Sequence, residues 1–333
     1  MVGDPHFKAN SISRGKEFVE KLVEAIEKAK PTFIVLLGDT LDTHEIVKIF
    51  PHQLAHDLIE RLRKIAPTFV LIGNHDLINA SQYLTTNHIF NPFKKWKNVR
   101  IVDKPLIHNF GEFTFVFCPY VPPGRFKEAL DTLIGDDNLW EFADCIFAHQ
   151  EFKGCFLGRG IQSEKGDEWK EEYPPVISGH IHSEQQVGKN VHYIGSPVQH
   201  TYSEDSNKYV WEVTFEKEKQ FSVNKISLGI RQKKTYKTTI KNLEKFNPEK
   251  HKKKDVKLVV LGTRDELSAF RKSQKYKELC SYDNIIVRFE IVREETSSEN
   301  TNQKSSNYIH IFKEMVSAQP PHVKEAFEEL NFA

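Results

Sequence analysis

Residues 32–42 of this chain read TFIVLLGDTLD, and this stretch decides the fold. An apolar run at 33–37 stops at Gly38, and two carboxylates follow three residues apart, Asp39 and Asp42. A continuous apolar run, rather than an alternating one, is typical of a strand that is covered on both faces. In open α/β sheets, ligands bind beyond the carboxyl ends of such strands, and glycine allows the sharp turn that follows. The stretch therefore predicts a buried strand whose end carries Asp39 into a site.

The same pattern, an apolar run followed by side chains that bind metals, recurs along the chain. Residues 68–72 precede GNHD at 73–76, residues 145–148 precede His149, and residues 176–178 precede GHIH at 179–182. A shortened version, VGDPH, occupies residues 2–6. Nitrogen and oxygen donors without cysteine suit two divalent ions that share a bridging carboxylate. The strand ends offer seven candidate ligands: Asp4, His6, Asp39, Asn74, His149, His180 and His182.

The first of these motifs has almost no strand before it, because Gly3 is the third residue. Either a first strand is missing from the sequence, or the sheet lacks that edge. We expect this shortage to affect stability and the placement of Asp4 and His6.

The length and composition narrow the class of protein. A chain of 333 residues can bury one large core, or one core and a smaller module, and its formal net charge of +1 predicts no partner. The four cysteines have no CxxC spacing, and Cys118 and Cys145 lie in apolar runs, as in a reduced intracellular protein. No apolar stretch approaches 18 residues and no signal-peptide pattern is present, so we expect a soluble, intracellular chain without a membrane partner.

The order of the elements predicts an α/β fold. Strands mixed with helices, followed by a β-rich return, indicate a four-layer α-β-β-α sandwich. Leu54, Leu58 and Leu62 mark the buried face of the second helix, which we expect to bend or restart at Pro51. Helices are predicted at 16–30, 45–65 and 125–134, and further strands at 99–102, 113–119, 190–194, 209–215 and 221–226.

The composition changes after residue 228. Between Arg231 and Lys254 there are ten Lys or Arg against two Glu, and a strand, a helix and a strand are predicted at 256–261, 265–279 and 284–292. This pattern predicts a small α+β module of βαβ type whose basic residues face a polyanion, or else a charged linker that is simply solvated. The candidate DNA-binding residues are Arg231, Lys233, Lys234, Lys252, Lys253 and Lys254.

The end of the chain predicts a linker and a helical tail. Residues 293–307 contain no apolar side chain, and short amphipathic helices are predicted at 308–318 and 323–332. These helices either fold back on the core or dock into a groove of a partner. The predicted domains are thus a core at 1–228, a capping domain at 229–294, a linker at 295–307 and a tail at 308–333.

The site chemistry suggests roles for two further residues. His75 directly follows Asn74, so it could face the leaving group beside the metals and donate a proton as general acid. Asp42 is placed to hold that imidazole in the useful tautomer, while Asp39 is the natural bridging ligand. Any one of these motifs alone would more often be an ordinary turn, whereas five in order indicate a metal centre.

These motifs resemble those of the calcineurin-like metallophosphoesterases, over residues 3–215. The family pattern DxH, GDxxD, GNHD or GNHE, an isolated H, and GHxH is matched at 4–6, 38–42, 73–76, His149 and 179–182. The resemblance implies one metal held by Asp4, His6, Asp39 and His182, and another held by Asp39, Asn74, His149 and His180. It also implies a His75–Asp42 pair.

Within that superfamily the chain looks most like the SbcD and meiotic recombination nucleases of double-strand-break repair and their phage relatives. The similarity lies in HQ at 149–150 and YIGSP at 193–197, whereas Thr43-His44-Glu45 replaces a proline-containing segment of the family. It implies two Mn²⁺ ions (Mg²⁺, Fe²⁺ or Zn²⁺ as alternatives) and exonuclease and endonuclease cleavage of DNA. It also implies a homodimer, with a contact at 46–65 and 79–93, and an SbcC-type coiled-coil ATPase. That ATPase must be a separate subunit, because this chain has no GxxxxGK[ST].

Two other functions stay open at this stage. The first is a phosphoesterase acting on protein phosphate, a cyclic nucleotide or another small ester, because a fold and its metal site do not determine the substrate. The second is a non-catalytic scaffold that binds DNA and an ATPase.

Overall fold

The computed structural model describes residues 1–133, 139–158, 160–217, 219–243 and 245–292. These residues form two compact units, 1–236 with 248–257, and 237–247 with 258–292. The second unit begins at residue 237, and the domain boundary at 229 stays a prediction. The predicted linker at 295–307 and tail at 308–333 lie outside the described residues.

The described residues form a mixed α/β structure with several sheets, as predicted. The α-helices are α1 (Ile12–Ala29), α2 (Ile49–Ile65), α3 (Phe126–Leu130), α4 (Ile240–Leu243), α5 (Arg264–Arg271) and α6 (Gln274–Cys280). Short 3₁₀ helices lie at Asn74–Asp76, Asn91–Lys95, Leu139–Phe142 and Pro248–His251. The strands are β1 (Ile34–Leu36), β2 (Thr68–Leu71), β3 (Val99–Val102), β4 (Leu106–Phe110), β5 (Phe113–Phe117), β6 (Cys145–Ala148), β7 (Phe156–Gly158), β8 (Ile161–Gln162), β9 (Val176–Ser178), β10 (Gln185–Val187), β11 (Val191–Tyr193), β12 (Val210–Glu216), β13 (Gln220–Ile226), β14 (Gln232–Thr239), β15 (Lys254–Gly262) and β16 (Ile285–Ile291).

The first sheet is parallel and has the order β1-β2-β3. Residues near the amino terminus continue it, because the Val2 N–H donates to the Val35 carbonyl at 2.9 Å. Parallel bridges join Val2 to Leu36 and Phe7 to Leu41. The short segment before the DPH motif is therefore aligned with β1, and this alignment places Asp4 and His6 beside the end of that strand.

The second sheet has the order β10-β11-β9-β6-β5-β4, with parallel pairing from β11 through β5. Its aromatic residues contact those of the first sheet: the Phe69 ring of β2 stacks on the Phe117 ring of β5, with centroids 4.1 Å apart. Helices α1 and α2 share a second buried cluster with β1 and β2. Strands β1, β2 and β6 are thus buried on both faces, which explains why their sequences are continuously apolar.

Helix α2 differs from its prediction. The expected start at residue 45 and bend at Pro51 are wrong, because the helix begins at Ile49 and Pro51 lies in its first turn. Proline is tolerated there, since the first N–H groups of a helix have no intrahelical acceptor. Leu54, Leu58 and Leu62 are buried, as their spacing predicted.

Two other helices are shorter than expected. The helix predicted at 125–134 is limited to Phe126–Leu130 among the described residues. The helix predicted at 265–279 is two helices, α5 and α6, because Ser273 caps a new helix by accepting from the Tyr276 N–H at 3.2 Å. No helix in the described part of the chain is long and apolar enough to cross a membrane.

Candidate metal centre

Asp39 lies at the centre of a cluster of histidines contributed by separate strand ends. Its Oδ1 lies 3.4 Å from His149 Nε2, and its Oδ2 lies 3.5 Å from His6 Nε2 and 4.0 Å from His75 Nε2. Burial alone would raise the pKa of Asp39, but the surrounding histidines hold it well below its usual range. The carboxylate of Asp39 is therefore ionised, and its two oxygens face two neighbouring groups of candidate metal ligands.

The first group of donors contains Asn74, His149 and His180. Asn74 Oδ1 lies 3.1 Å from His149 Nε2 and 3.0 Å from His180 Nδ1. His149 Nδ1 lies 2.6 Å from the Leu37 carbonyl, and donation to that carbonyl leaves the lone pair on Nε2, which faces Asp39. This contact fixes the orientation of the His149 ring, with Nε2 directed toward the other candidate ligands.

The second group of donors contains Asp4, His6 and His182. His6 Nε2 lies 3.1 Å from His182 Nε2, and Asp4 Oδ1 accepts from the His180 N–H at 2.8 Å. Burial lowers the pKa of His6 to about 3, so its ring is neutral, the form that binds metals.

Two atoms of this second group test whether a metal fits. Asp4 Oδ2 and His6 Nδ1 are buried and have no hydrogen-bond partner among the described residues. An unpaired buried carboxylate oxygen is costly, and a divalent cation beside Asp4 would satisfy it, whereas His6 Nδ1 faces Asp42 Oδ1 at 3.6 Å. The donor set of carboxylate, amide oxygen and imidazole also fits such ions.

The backbone of the centre is strained at three candidate ligands. His6, Asp39 and His180 have φ angles of 44°, 47° and 78°, in the left-handed region that residues other than glycine rarely adopt. Such strain is typical of functional sites, where the surrounding structure holds it. Gly73 permits the close packing, because a Cβ atom there would lie 2.2 Å from Asp39 Oδ1.

The predicted pair of His75 and Asp42 is present in a different form. His75 Nδ1 lies 2.8 Å from the main-chain carbonyl of Asp42, not from its carboxylate. Because a carbonyl only accepts, it favours a proton on Nδ1 and leaves Nε2 facing Asp39. The Asp42 carboxylate instead pairs with Lys8 Nζ at 2.9 Å.

Three residues around the centre were not identified from the sequence. His200 stands 4.9 Å from both His6 and His182 between ring centroids, and its Nε2 lies 2.9 Å from the Asp4 carbonyl. Glu204 lies 3.8 Å from His182 Nδ1. Asp76 joins two loops, because its carboxylate accepts main-chain hydrogen bonds from residues 40–41 and from Gly73. The only sequence signal was that Asp76 completes GNHD and that His200 follows Gln199 after the YIGSP segment.

Asp76→Ala is expected to lower the free energy of unfolding by about 3 kcal/mol or more. The Asp76 carboxylate accepts from the main-chain N–H groups of Leu41 at 3.0 Å, Gly73 at 3.1 Å and Thr40 at 3.3 Å. The substitution leaves these buried donors unpaired. Urea unfolding measures the change, with Asp57→Ala on the exposed face of α2 as the control, for which less than about 0.5 kcal/mol is expected. A loss equal to that of the control would show that Asp76 does not hold the two loops together.

The basic residues selected from the sequence differ in their exposure and in their contacts. Lys233 and Lys234 are partly buried; Lys233 Nζ donates to the His200 carbonyl at 2.9 Å, and Lys234 Nζ to Ser206 Oγ at 3.4 Å. Arg231 lies 3.6 Å from Asp255. Among the remaining three, Lys252 and Lys253 are exposed, whereas Lys254 is partly buried.

The strand ends and their donors define a metal-dependent phosphoester hydrolase, and comparison with known sequences agrees. The model of the calcineurin-like phosphoesterase family matches residues 1–184. The chain is 36% identical over 319 residues to "Putative phosphoesterase 078R" of Invertebrate iridescent virus 3, covering 95% of this chain and 91% of the relative. It is 39% identical over 278 residues to "Putative phosphoesterase 244L" of Invertebrate iridescent virus 6, covering 82% and 97%. The chain belongs to the calcineurin-like phosphoesterase family, whose members use divalent metals to hydrolyse phosphoester bonds.

Proposed function

We propose that this protein is a dimetal DNA nuclease of the SbcD type. The observation that carries the proposal is the cluster of candidate ligands around Asp39, with the partly exposed His75 at its rim. The sandwich architecture belongs to the same proposal: the contacts between the two sheets, and the helices on their outer faces, support a four-layer α-β-β-α core.

The donor positions support two ions, for which Mn²⁺ is our first choice and Mg²⁺, Fe²⁺ and Zn²⁺ are alternatives. One would be held by Asp4, His6, Asp39 and His182, and the other by Asp39, Asn74, His149 and His180. Bound there, divalent ions polarise a phosphoryl group and lower the pKa of water toward neutrality.

His75 supplies the proton that the leaving oxygen requires. Its ring is fixed through Nδ1 by the Asp42 carbonyl, and its Nε2 faces the centre 4.0 Å from Asp39 Oδ2. About one third of its side chain is exposed, so a substrate can reach it. Protonated on both ring nitrogens, His75 can donate its Nε2 proton to the leaving oxygen as a general acid and return to the neutral form with the proton on Nδ1.

A DNA substrate is favoured over a small ester by the basic residues. The exposed Lys252 and Lys253, together with Arg231, Lys233, Lys234 and Lys254, are the proposed contacts to the phosphate backbone. A phosphoesterase for small molecules is the second candidate, because the same metal chemistry would serve it. A non-catalytic scaffold is disfavoured, since every candidate ligand is present and in contact with the cluster.

The proposed function includes two protein partners. An exposed apolar patch at the start of α2, with Ile46 69%, Ile49 73% and Phe50 63% accessible, supports homodimerisation through this region. An SbcC-type coiled-coil ATPase would bind the segment at 308–333, for which the amphipathic sequence is the support.

Nuclease activity of the purified chain tests the proposal. We expect degradation of labelled double-stranded and single-stranded DNA with Mn²⁺ and less with Mg²⁺, and none after EDTA treatment. Bis-p-nitrophenyl phosphate is the comparison substrate. Efficient hydrolysis of this ester without any cleavage of DNA would favour the small-molecule candidate instead.

A further inference from the structure

A small recess lies beside the second group of donors and is lined by basic side chains. Its volume is about 30 Å³, and its walls include Lys8, Ser11, Arg14, His200 and Lys233 together with His6. A water-sized group needs roughly 10 to 15 Å³. The recess therefore has room for about two water-sized groups, such as two oxygens of a phosphate.

Three of the described residues that line this recess are cationic, Lys8, Arg14 and Lys233, and none of the described lining residues carries a carboxylate. Lys8 pairs with Asp42, whereas Arg14 and Arg231 share the single carboxylate of Asp255. Lys233 makes no ion pair within the described ranges of the chain. Its ammonium group donates to the His200 carbonyl at 2.9 Å and lies 5.5 Å from the centroid of the Tyr202 ring.

Three further features of the recess favour the binding of an anion: the buried Arg14 Nε, the ammonium group of Lys233 and the amino-terminal end of helix α1. Arg14 Nε is buried and has no hydrogen-bond partner among the described residues, although Arg14 is one of the lining residues. Burial lowers the pKa of Lys233, and the positive charges of Arg14 and Lys8 lower it further, although the carboxylates of Asp255 and Glu204 act in the opposite direction. Helix α1 begins at this wall without a side-chain cap at Ser11 and without an acidic residue in its first turn. An anion here would relieve the repulsion and satisfy the buried donor.

We propose that this recess is a binding site for a second phosphate group, the one next to the phosphate that is hydrolysed. The recess is adjacent to the metal centre, because His6 and His200 belong to its walls and their ring centroids lie 4.9 Å apart. Arg14 offers N–H donors that lie in one plane, and Lys233 offers a compact positive charge. Proteins use both kinds of group to bind phosphate. This inference rests on the proposed function and makes it more specific, since a nucleic acid backbone carries further phosphates beside the one that is cleaved.

Two chromogenic substrates that differ by one phosphate test the site. Thymidine 5′-(p-nitrophenyl phosphate) has only the scissile group, and its 3′-phosphorylated form has a second one on the same sugar. We expect the wild-type chain to hydrolyse the 3′-phosphorylated substrate with about tenfold higher kcat/KM, mostly through a lower KM. Lys233→Gln should abolish this preference, Lys233→Arg should retain it, and Lys28→Gln, on the exposed face of α1, should leave it unchanged.

The possible outcomes separate the two proposals. Hydrolysis of both substrates with equal kcat/KM, or a preference that survives in Lys233→Gln, overturns the second-phosphate site while the phosphoesterase activity stands. If neither substrate is hydrolysed, calorimetric binding of thymidine 3′,5′-bisphosphate still decides: weaker binding by Lys233→Gln supports the site, and equal binding overturns it.

Discussion

Asp39→Asn is expected to remove bound metal and to lower kcat/KM for bis-p-nitrophenyl phosphate by at least about 1,000-fold, or about 4 kcal/mol of transition-state stabilisation. This carboxylate faces both groups of donors, because its Oδ1 lies 3.4 Å from His149 Nε2 and its Oδ2 lies 3.5 Å from His6 Nε2. An amide has one acceptor oxygen and no charge, so it cannot bridge two cations. Asparagine also tolerates the left-handed backbone of position 39, where φ is 47°, and thus adds little strain of its own.

The measurement combines the hydrolysis rate with metal content by mass spectrometry after dialysis. Asp57→Asn on the exposed surface of α2 is the matched control and should retain both quantities. Circular dichroism verifies that the variant is folded. Full metal content in an inactive Asp39→Asn protein would contradict the bridging role, and unchanged activity would place the centre elsewhere.

His75→Ala is expected to lower kcat by about 10² to 10⁴ while metal content stays the same. His75 faces Asp39 across 4.0 Å, but in our assignment it does not hold either ion. A general acid matters most when the leaving group is a poor one. The loss should therefore be larger for DNA, whose leaving group is an alkoxide, than for an ester that releases p-nitrophenolate.

His56→Ala, on the exposed surface of α2, is the control for this experiment and should retain activity on both substrates. Loss of metal from His75→Ala would make His75 a ligand. Equal losses on the two kinds of leaving group would contradict proton donation, even if the metals were retained.

Several parts of the fold were predictable because they depend on local patterns. The continuous apolar runs gave the positions of β1, β2, β6 and β9, since strands buried on both faces have no polar alternation. Membership in the calcineurin-like phosphoesterases followed from the motifs at the ends of these strands and is confirmed. The SbcD-type substrate and the ATPase partner stay predictions.

Other features were mispredicted or missed because they depend on local capping or on contacts between distant residues. Pro51 was expected to break α2, but its position in the first turn removes the conflict. Asp42 was expected to hold the His75 imidazole in its useful tautomer; its main-chain carbonyl lies 2.8 Å from His75 Nδ1, while its carboxylate pairs with Lys8. His200 has no motif of its own, and only the packing places it beside His6 and His182.

The sequence by itself determined which side chains stand at the ends of the strands, and therefore the chemical class of the site. Periodicity, glycine positions and ligand types are local properties that a linear pattern preserves. The tertiary structure decided which atoms meet: His6 and His182, 176 positions apart, come within 3.1 Å, and Arg14, His200 and Lys233 line one recess. Such neighbours depend on how the strands and helices pack, because no local spacing relates residues that are distant along the chain.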